Sequence, residues 1–352
     1  MASPVRVLVV DDSVTMRALF SGILNDAPGI TVIEHAADAD EARDLIKKLR
    51  PDVITLDVEM PGMSGLEFLE ELMTERPMPV IMLSTLTQKG SDATLKALEL
   101  GAFDCFPKPT KATMDEFAKI GPRLARLVKS AAKNGGKPRK AETSALAPVA
   151  VSAVPADYVP SDALLTLVAN TGGVDALNDM IAQFPANCPP TIIHLASASG
   201  FIDAFITKLD KVTQPRIRLA ADDQPLEAGN VYIVCDHAKH AIIDKWPAGR
   251  IRLIDGEPIA GHRPSANLLL GTIAKTAGTA GAAAILTGIG DDGVAGLMAM
   301  KSMGGLTLAQ SPDTARAAEL PELAIAKGAA SQILPLTEIS AAMLHHRTQA
   351  PV

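Results

Sequence analysis

The first 132 residues alternate between short apolar runs and stretches with helical spacing, and no other feature limits the possible folds as strongly. The runs "RVLVV" and "DVITLD" are dominated by apolar, mostly β-branched residues, as in parallel strands that are buried on both faces. Each run is followed by apolar residues three or four apart, as in "TMRALFSGILND". Five such units in a row predict an α/β fold, a doubly wound five-stranded parallel sheet with helices on both faces.

The pattern changes at residue 133. Residues 133–161 have no period and are rich in Gly, Pro, Ala and Ser, which is typical of a linker. Strand and helix patterns return over 162–352 and predict a second α/β domain with a mostly parallel sheet. Within it, four short runs separated by turns predict an antiparallel hairpin insertion: "RIRLA", "NVYIVC", "AIIDKW" and "RIRLID". We therefore expect domains at 1–132 and 162–352, joined by the linker.

Composition excludes several classes of protein. The 352 residues carry a formal net charge of −7 without a large basic domain, which argues against nucleic acid as the main partner. Three widely spaced cysteines form neither a disulfide framework nor a zinc motif and suit a reducing compartment. The first apolar run stops at two aspartates, and the most apolar later stretch contains Lys275 and many glycines. We expect no signal peptide, no membrane insertion and a cytoplasmic protein.

Polar residues stand at the ends of the predicted strands of the first domain. Asp11 and Asp12 close the first strand, Asp57 the third and Ser84 the fourth, and Lys108 follows the fifth. Because the carboxyl ends of parallel strands share one edge of the sheet, these groups should converge there. Three carboxylates repel one another, and a hard cation such as Mg²⁺ relieves this repulsion. Asp57 could then attack a phosphoryl group as a carboxylate nucleophile. The alternative is a set of acidic helix N-caps.

The motifs "VVDDS", "TLDVEMPGMSGLE", "MLSTLTQKGS" and "GAFDCFPKP" resemble a response-regulator receiver domain, from about residue 6 to residue 132. The resemblance implies that Asp57 accepts the phosphoryl group. It implies that Mg²⁺ binds to Asp11, Asp12, Asp57 and the backbone carbonyl of Glu59, and that Ser84 and Lys108 take the switch positions. Receivers usually carry Tyr or Phe three residues before the lysine, where this chain has Cys105.

The second half resembles the chemotaxis protein-glutamate methylesterase family through "ANTGGVDAL", "TIIHL", "AGHRPSANLLL" and "ILTGIGDDGVAGL", from about 164 to 333. The family uses a serine nucleophile, a histidine base and an aspartate that orients the histidine. The resemblance gives His194 the histidine position and Asp292 the aspartate position, but Asn170 stands where the serine should be. An amide is no nucleophile toward esters, so His194 could instead be a buried strand histidine whose ring is satisfied by Asp292.

Two further departures stand near this site. The segment after His194, "LASASGF", is about two residues longer than in the family, and Asn267 replaces an acidic residue of "RPSVD". His262 and Arg263 remain and could form part of a binding surface. The spacing of "HAKH", His237 to His240, is compatible with metal binding, but a polar turn explains it better because no third ligand is in view.

Three functions follow from these resemblances. The favoured one is a chemotaxis response regulator whose methylesterase-like domain has lost ordinary ester hydrolysis. The second is an active methylesterase and glutamine deamidase with a non-standard nucleophile, for which Thr171, Ser197 and Ser199 are candidates. The third is a binding module for chemoreceptors that the receiver controls. The implied partners are a chemotaxis histidine kinase and the cytoplasmic region of a chemoreceptor or another chemotaxis protein.

Overall fold

The computed structural model describes residues 3–85, 88–109, 111, 113–134, 158–196, 201–235 and 238–347. The chain forms two compact units, Met1–Ala145 and Leu146–Val352. Among the described residues, no helix is both long and apolar enough to cross a membrane.

The first unit alternates five strands with five helices. In chain order they are β1 (Val5–Val10), α1 (Val14–Asn25), β2 (Ile30–Ala36), α2 (Ala39–Leu49), β3 (Val53–Asp57), α3 (Gly65–Glu75), β4 (Val80–Ser84), α4 (Gln88–Leu100), β5 (Asp104–Pro107) and α5 (Met114–Asn134). The sheet has the order β2-β1-β3-β4-β5, and all of its pairings are parallel. The predicted five-stranded doubly wound sheet is confirmed.

Local sequence explains how these elements begin. Every residue of β3 and β4 is buried, because helices cover both faces of the sheet. Ser64 starts α3 with a capping box, in which its hydroxyl accepts from the Glu67 N–H and the Glu67 carboxylate accepts from the Ser64 N–H. Gly65 follows at a close approach, since a Cβ there would lie 1.8 Å from the carbonyl oxygen of Asp57. This glycine lets α3 start directly against the end of β3.

The second unit contains ten strands and six α-helices among its described residues. In chain order they are β6 (Leu164–Ala169), α6 (Gly173–Ile181), β7 (Thr191–Leu195), α7 (Ile202–Val212), β8 (Arg216–Leu219), β9 (Gln224–Pro225), β10 (Asn230–Val234), β11 (His240–Ile243), β12 (Arg250–Ile254), α8 (Ala266–Ala277), β13 (Gly281–Ile285), α9 (Val294–Ser302), β14 (Leu306–Gln310), α10 (Glu319–Ala326), β15 (Gln332–Leu334) and α11 (Leu336–Leu344).

Seven strands form a parallel sheet in the order β15-β14-β13-β6-β7-β10-β8, and β11, β12 and β9 form a separate antiparallel sheet. The predicted mostly parallel sheet with an antiparallel insertion is confirmed, but the insertion is smaller than expected. "RIRL" of β8 and "NVYIV" of β10 belong to the parallel sheet. Their neighbours in space, which single-strand patterns do not reveal, decide this assignment.

The order of this sheet fixes where a cleft can form. The chain leaves β6 toward β7 on one side, and β13 later fills the other side. The order therefore reverses between β6 and β13, which makes this pair the topological switch point. Crevices that bind ligands open at the carboxyl ends of the strands at such a point.

Candidate functional site

The first candidate site lies at the carboxyl edge of the five-stranded sheet of the first unit. The side chains of Asp11, Asp12 and Asp57 bring one carboxylate oxygen each within 4.8 Å of one another. Asp11 and Asp57 are buried, whereas Asp12 is exposed. Clustered carboxylate oxygens are the ligands that Mg²⁺ prefers, so the donor set fits this ion. The strand-end pattern thus brought these three residues together, as the sequence predicts.

Lys108 is the cation of this site. Its Nζ lies 2.7 Å from Asp57 Oδ2 and 2.8 Å from Asp11 Oδ2. Burial raises the pKa of Asp57 to about 6, although the hydrogen bond and charge of Lys108 oppose the shift. Burial also acts to lower the pKa of Lys108, but its two carboxylate partners outweigh burial and raise it. Lys108 therefore stays charged and partly neutralises the carboxylates.

The remaining predicted receiver residues lie in β4, in the turn after Asp57 and in β5. Ser84 ends β4 and is buried, and its hydroxyl is 3.3 Å from the carbonyl oxygen of Thr85. The backbone N–H of Glu59 donates to Asp57 Oδ1 at 3.3 Å. Cys105 is buried in β5, and its thiol lies 3.7 Å from the carbonyl oxygen of Thr94 in α4. Cys105, at the position where receivers usually carry an aromatic residue, thus forms a polar contact with α4.

The second candidate site is the switch-point cleft, where the turn after β6 meets the loop after β13. Asn170 occupies the corner of this turn. Its side-chain Oδ1 accepts from the backbone N–H of Thr171 at 2.6 Å and from that of Ile289 at 2.7 Å. Its Nδ2 donates to the carbonyl oxygen of Ile289 at 2.9 Å. One carboxamide therefore fills a small polar recess with two N–H donors and one carbonyl acceptor.

Two backbone N–H groups that converge on one oxygen form the arrangement that stabilises an oxyanion in acyl transfer. In this chain, the oxygen on which the two N–H groups converge is Oδ1 of Asn170. Gly288 makes room for it, since a Cβ there would lie 2.6 Å from Asn170 Oδ1. The sequence motifs predicted Asn170 and Thr171 at this site but not Ile289. Backbone groups leave no signal in residue types beyond the "TGIGDDG" motif.

His194 lies in β7, directly beside β6, and is almost fully buried. Its Nε2 is 3.3 Å from the carbonyl oxygen of Pro264, and its Nδ1 has no partner among the described residues. Burial lowers the pKa of His194, and the charge of Asp292 only partly opposes this shift. A neutral ring with its proton on Nε2 satisfies the contact with Pro264. The polar partner of His194 is thus Pro264 and not, as expected, Asp292.

Asp292 is instead a helix cap. Its carboxylate accepts from the backbone N–H groups of Ala266 at 2.8 Å and Asn267 at 3.0 Å, and from the Ser265 hydroxyl at 3.1 Å. Asn267, in the first turn of α8, caps α9 in return. Its side-chain Oδ1 accepts from the N–H groups of Gly293 and Gly296 at the start of α9. The two side chains thus cap each other's helices. Asp292 and Asn267 were predicted near the site, but this reciprocal role was not.

The rim of the cleft carries charged groups. His262 Nε2 lies 3.7 Å from Asp291, and Arg263 Nη1 donates to the carbonyl oxygen of Gly256 at 3.1 Å. On the other side, Arg316 pairs with Asp175 at 2.9 Å. The pair of Arg316 and Asp175 was not predicted from the sequence.

Three residues named from the sequence fall outside the described residues: His237, Ser197 and Ser199. His240, which we predicted in a polar turn, is instead buried at the start of β11.

Comparisons with known proteins agree with both halves of the chain. Residues 7–117 match the family described as "Response regulator receiver domain", and residues 165–343 match "CheB methylesterase". A protein-glutamate methylesterase/protein-glutamine glutaminase 1 of Rhizobium johnstonii is 42% identical over 98% of this chain and 97% of its own length. One of the same name from Caulobacter vibrioides is 40% identical over 97% of both. The CheB methylesterase catalytic domain of Thermotoga maritima shares 26% identity and a TM-score of 0.50, covering 53% of this chain and 98% of its own.

Proposed function

Because this chain belongs to the family of CheB methylesterases that carry a receiver domain, and is thus a chemotaxis response regulator, we propose that Asp57 is its phosphorylation site. We further propose that its second domain binds a partner protein but does not hydrolyse esters. The proposed partners are a chemotaxis histidine kinase and a chemoreceptor or another chemotaxis protein, and the proposed location is the cytoplasm. The observation that carries the second half of the proposal is the carboxamide of Asn170 between Thr171 and Ile289.

In the receiver, Asp57 is the proposed nucleophile. Its pKa of about 6 leaves most of the carboxylate ionised at neutral pH. One of its oxygens would attack the phosphorus of a phosphohistidine, forming an acyl phosphate and releasing the imidazole. Lys108, already 2.7 Å from Oδ2, is in position to pair with the added charge. Asp11, Asp12 and Asp57 would hold Mg²⁺, which when bound offsets the charge of the carboxylates and the phosphoryl group.

In the second domain, three groups of a hydrolytic site are used differently. The corner residue is an amide and cannot form an acyl-enzyme. Its oxygen occupies the two N–H donors that a tetrahedral intermediate would need. The carboxylate of Asp292 is engaged by three donors at the start of α8. The fold keeps a shaped, polar cleft with His262 and Arg263 at its rim, which suits binding better than turnover.

The family itself favours a second candidate, an active methylesterase and glutamine deamidase. The curated relatives that span almost the whole chain carry that name. Activity would require a nucleophile other than Asn170. Thr171 is the neighbouring hydroxyl, but its side chain is buried and a one-residue shift at a tight turn changes where a side chain points.

Methanol release from a methylated chemoreceptor separates the two candidates. The full chain is incubated with acetyl phosphate and Mg²⁺, and Asp57→Asn serves as the unphosphorylated control. We expect incorporation of phosphate into the wild type, none into Asp57→Asn, and no methanol above background in either. Labelling of Asp57→Asn at the wild-type rate would contradict the receiver assignment. Robust methanol release would contradict the loss of hydrolysis, and its disappearance in Thr171→Ala, Ser197→Ala or Ser199→Ala would identify the nucleophile.

A further inference from the structure

His240 begins β11 and is only 1% exposed, and neither half of the proposed function uses it. Its Nε2 lies 2.9 Å from the carbonyl oxygen of Glu257, and its Nδ1 lies 3.2 Å from the backbone nitrogen of Ser265. A carbonyl only accepts and a backbone N–H only donates, so the ring must carry its proton on Nε2 and a lone pair on Nδ1. One buried imidazole thus ties together both ends of the segment 257–265.

This segment, the 257–265 loop, is exposed from Glu257 to Gly261 and turns inward at its carboxyl end. Ile259 and His262 exchange two backbone hydrogen bonds of 3.0 Å across the bend. Just before the loop, a Cβ on Gly256 would lie 3.1 Å from the ring carbon Cδ2 of His240, so the chain passes close against the imidazole. The loop therefore has a closed tip and a shared anchor at its base.

The carboxyl end of the loop enters the cleft. The carbonyl oxygen of Pro264 contacts His194 Nε2 at 3.3 Å, and the hydroxyl of Ser265 donates to Asp292 at 3.1 Å. The same Ser265 supplies the N–H that His240 accepts. His240 thus bonds to Ser265, and the preceding residue, Pro264, is the hydrogen-bond partner of the His194 side chain among the described residues.

We propose that His240 is a positioning residue, which holds the 257–265 loop so that Pro264 fixes the ring of His194 and the rim residues His262 and Arg263 lie beside the cleft. It acts through hydrogen bonds at both of its nitrogens and not through the volume of its ring. This role goes beyond the proposed function and does not depend on whether the cleft hydrolyses or only binds, since both need the loop in place.

Two amide substitutions separate the two hydrogen bonds. In His240→Asn the side-chain oxygen can take the place of Nδ1, whereas in His240→Gln the terminal amide nitrogen can take the place of Nε2. His240→Phe keeps an aromatic ring at this position but has no nitrogen to form either hydrogen bond. Amide hydrogen exchange of the full chain is measured at Ser265, Ile259 and His262. The ring ¹⁵N shifts of His194 report on the cleft.

We expect His240→Asn to keep the Ser265 amide protected and the His194 shifts near wild type, while the Ile259 and His262 amides exchange about 10-fold faster. In His240→Gln, the Ser265 amide should exchange faster and the His194 ring shifts should change, while the Ile259 and His262 amides stay protected. In His240→Phe, all three amides should exchange faster and the His194 ring shifts should change. Ile243→Val, a buried change on the same strand, is the control for general destabilisation. Wild-type exchange and His194 shifts in His240→Phe, or one uniform increase in all three variants matching Ile243→Val, would overturn the proposal.

Discussion

The side-chain oxygen of Asn170 lies 2.7 Å from the backbone nitrogen of Ile289, which joins the turn after β6 to the loop after β13. The same amide returns a hydrogen bond from its nitrogen to the Ile289 carbonyl at 2.9 Å. A serine is too short to form both bonds at once. Under the proposed loss of hydrolysis, Asn170 would therefore do more than replace a nucleophile, because its side-chain oxygen also accepts from the N–H groups of Thr171 and Ile289.

Asn170→Ser should restore little methyl-ester hydrolysis. The change supplies a hydroxyl and vacates the recess, but it leaves Asp292 engaged with α8 and His194 bonded to Pro264. Loss of a triad nucleophile leaves about 10³–10⁴-fold catalysis over water in a complete site, and here the other parts are also altered. Methanol release by the phosphorylated variant should stay within about 10-fold of the wild-type background. Turnover comparable with an active family member would contradict this prediction.

The same variant has a predictable stability. We expect it to fold, since Asn and Ser are both small polar turn residues. It loses the bonds from Asn170 to Thr171 and Ile289, which should lower the free energy of unfolding of the second domain by about 1–3 kcal/mol. Urea denaturation followed through Trp246 measures this. Asn187→Ser, a change of the same type at an exposed position that removes one hydrogen bond to the carbonyl oxygen of Tyr158, is the control.

Asp292 should matter for stability even without catalysis. Asp292→Ala removes the acceptor of three hydrogen bonds at the start of α8, including the N–H groups of Ala266 and Asn267. Lost caps and an unfavourable helix N-terminus should lower the free energy of unfolding by about 2–3 kcal/mol. The neighbour Asp291 is exposed, and its carboxylate lies 3.7 Å from His262 Nε2. Asp291→Ala should therefore change the free energy of unfolding by less than about 0.5 kcal/mol. Equal effects of the two variants would contradict the capping role.

The sequence predicted the receiver better than the second domain for a physical reason. In the receiver, Asp11, Asp57 and Lys108 stand at the carboxyl ends of β1, β3 and β5, and parallel pairing alone brings these strand ends to one edge of the sheet. In the second domain, β8 and β10 pair in parallel although their runs suggested an antiparallel insertion. This pairing depends on which distant strand is the neighbour, which a single run does not encode. Helix α7, strand β15 and helix α11 were not predicted at all.

The cleft shows the same limit at the level of side chains. The motif resemblance gave Asn170 the corner position and suggested Asp292 as the partner of His194, whereas the described hydrogen-bond partner of the His194 side chain is Pro264. The carboxylate of Asp292 has three donors available at the start of α8, and these satisfy it without His194. Such a choice depends on backbone N–H groups, whose positions only the folded chain defines. Residue types therefore located the site but did not reveal its hydrogen bonding.

Phosphorylation should act on the fourth strand and helix through Ser84. The hydroxyl of Ser84 is positioned near the end of β4 and can turn toward a phosphoryl group on Asp57. We expect a phosphoryl analogue with Mg²⁺ to change amide exchange in α4 and β5 and the scattering profile of the full chain. Ser84→Ala should still be phosphorylated but show a smaller change.

Because Cys105 lacks a ring, we expect the wild-type change to be modest and to grow in Cys105→Tyr. Identical profiles with and without phosphorylation would contradict the coupling.

The raised pKa of Asp57 predicts how the stability of the receiver depends on pH. Burial lifts this pKa from 3.8 to about 6, so the folded receiver binds this proton more tightly than the unfolded chain does. The stabilisation from the protonated carboxyl is complete below pH 3.8 and is lost as the pH rises through about 6. A shift of this size corresponds to about 3 kcal/mol. Asp57→Asn should therefore raise the free energy of unfolding at pH 7.5 without Mg²⁺ and have a much smaller effect near pH 4. Asp44→Asn, which removes an exposed carboxylate on α2, is the control for the loss of one negative charge. Urea titrations at both pH values test this, and an Asp57→Asn variant that is less stable than the wild type at pH 7.5 would show that Lys108 compensates the buried charge completely.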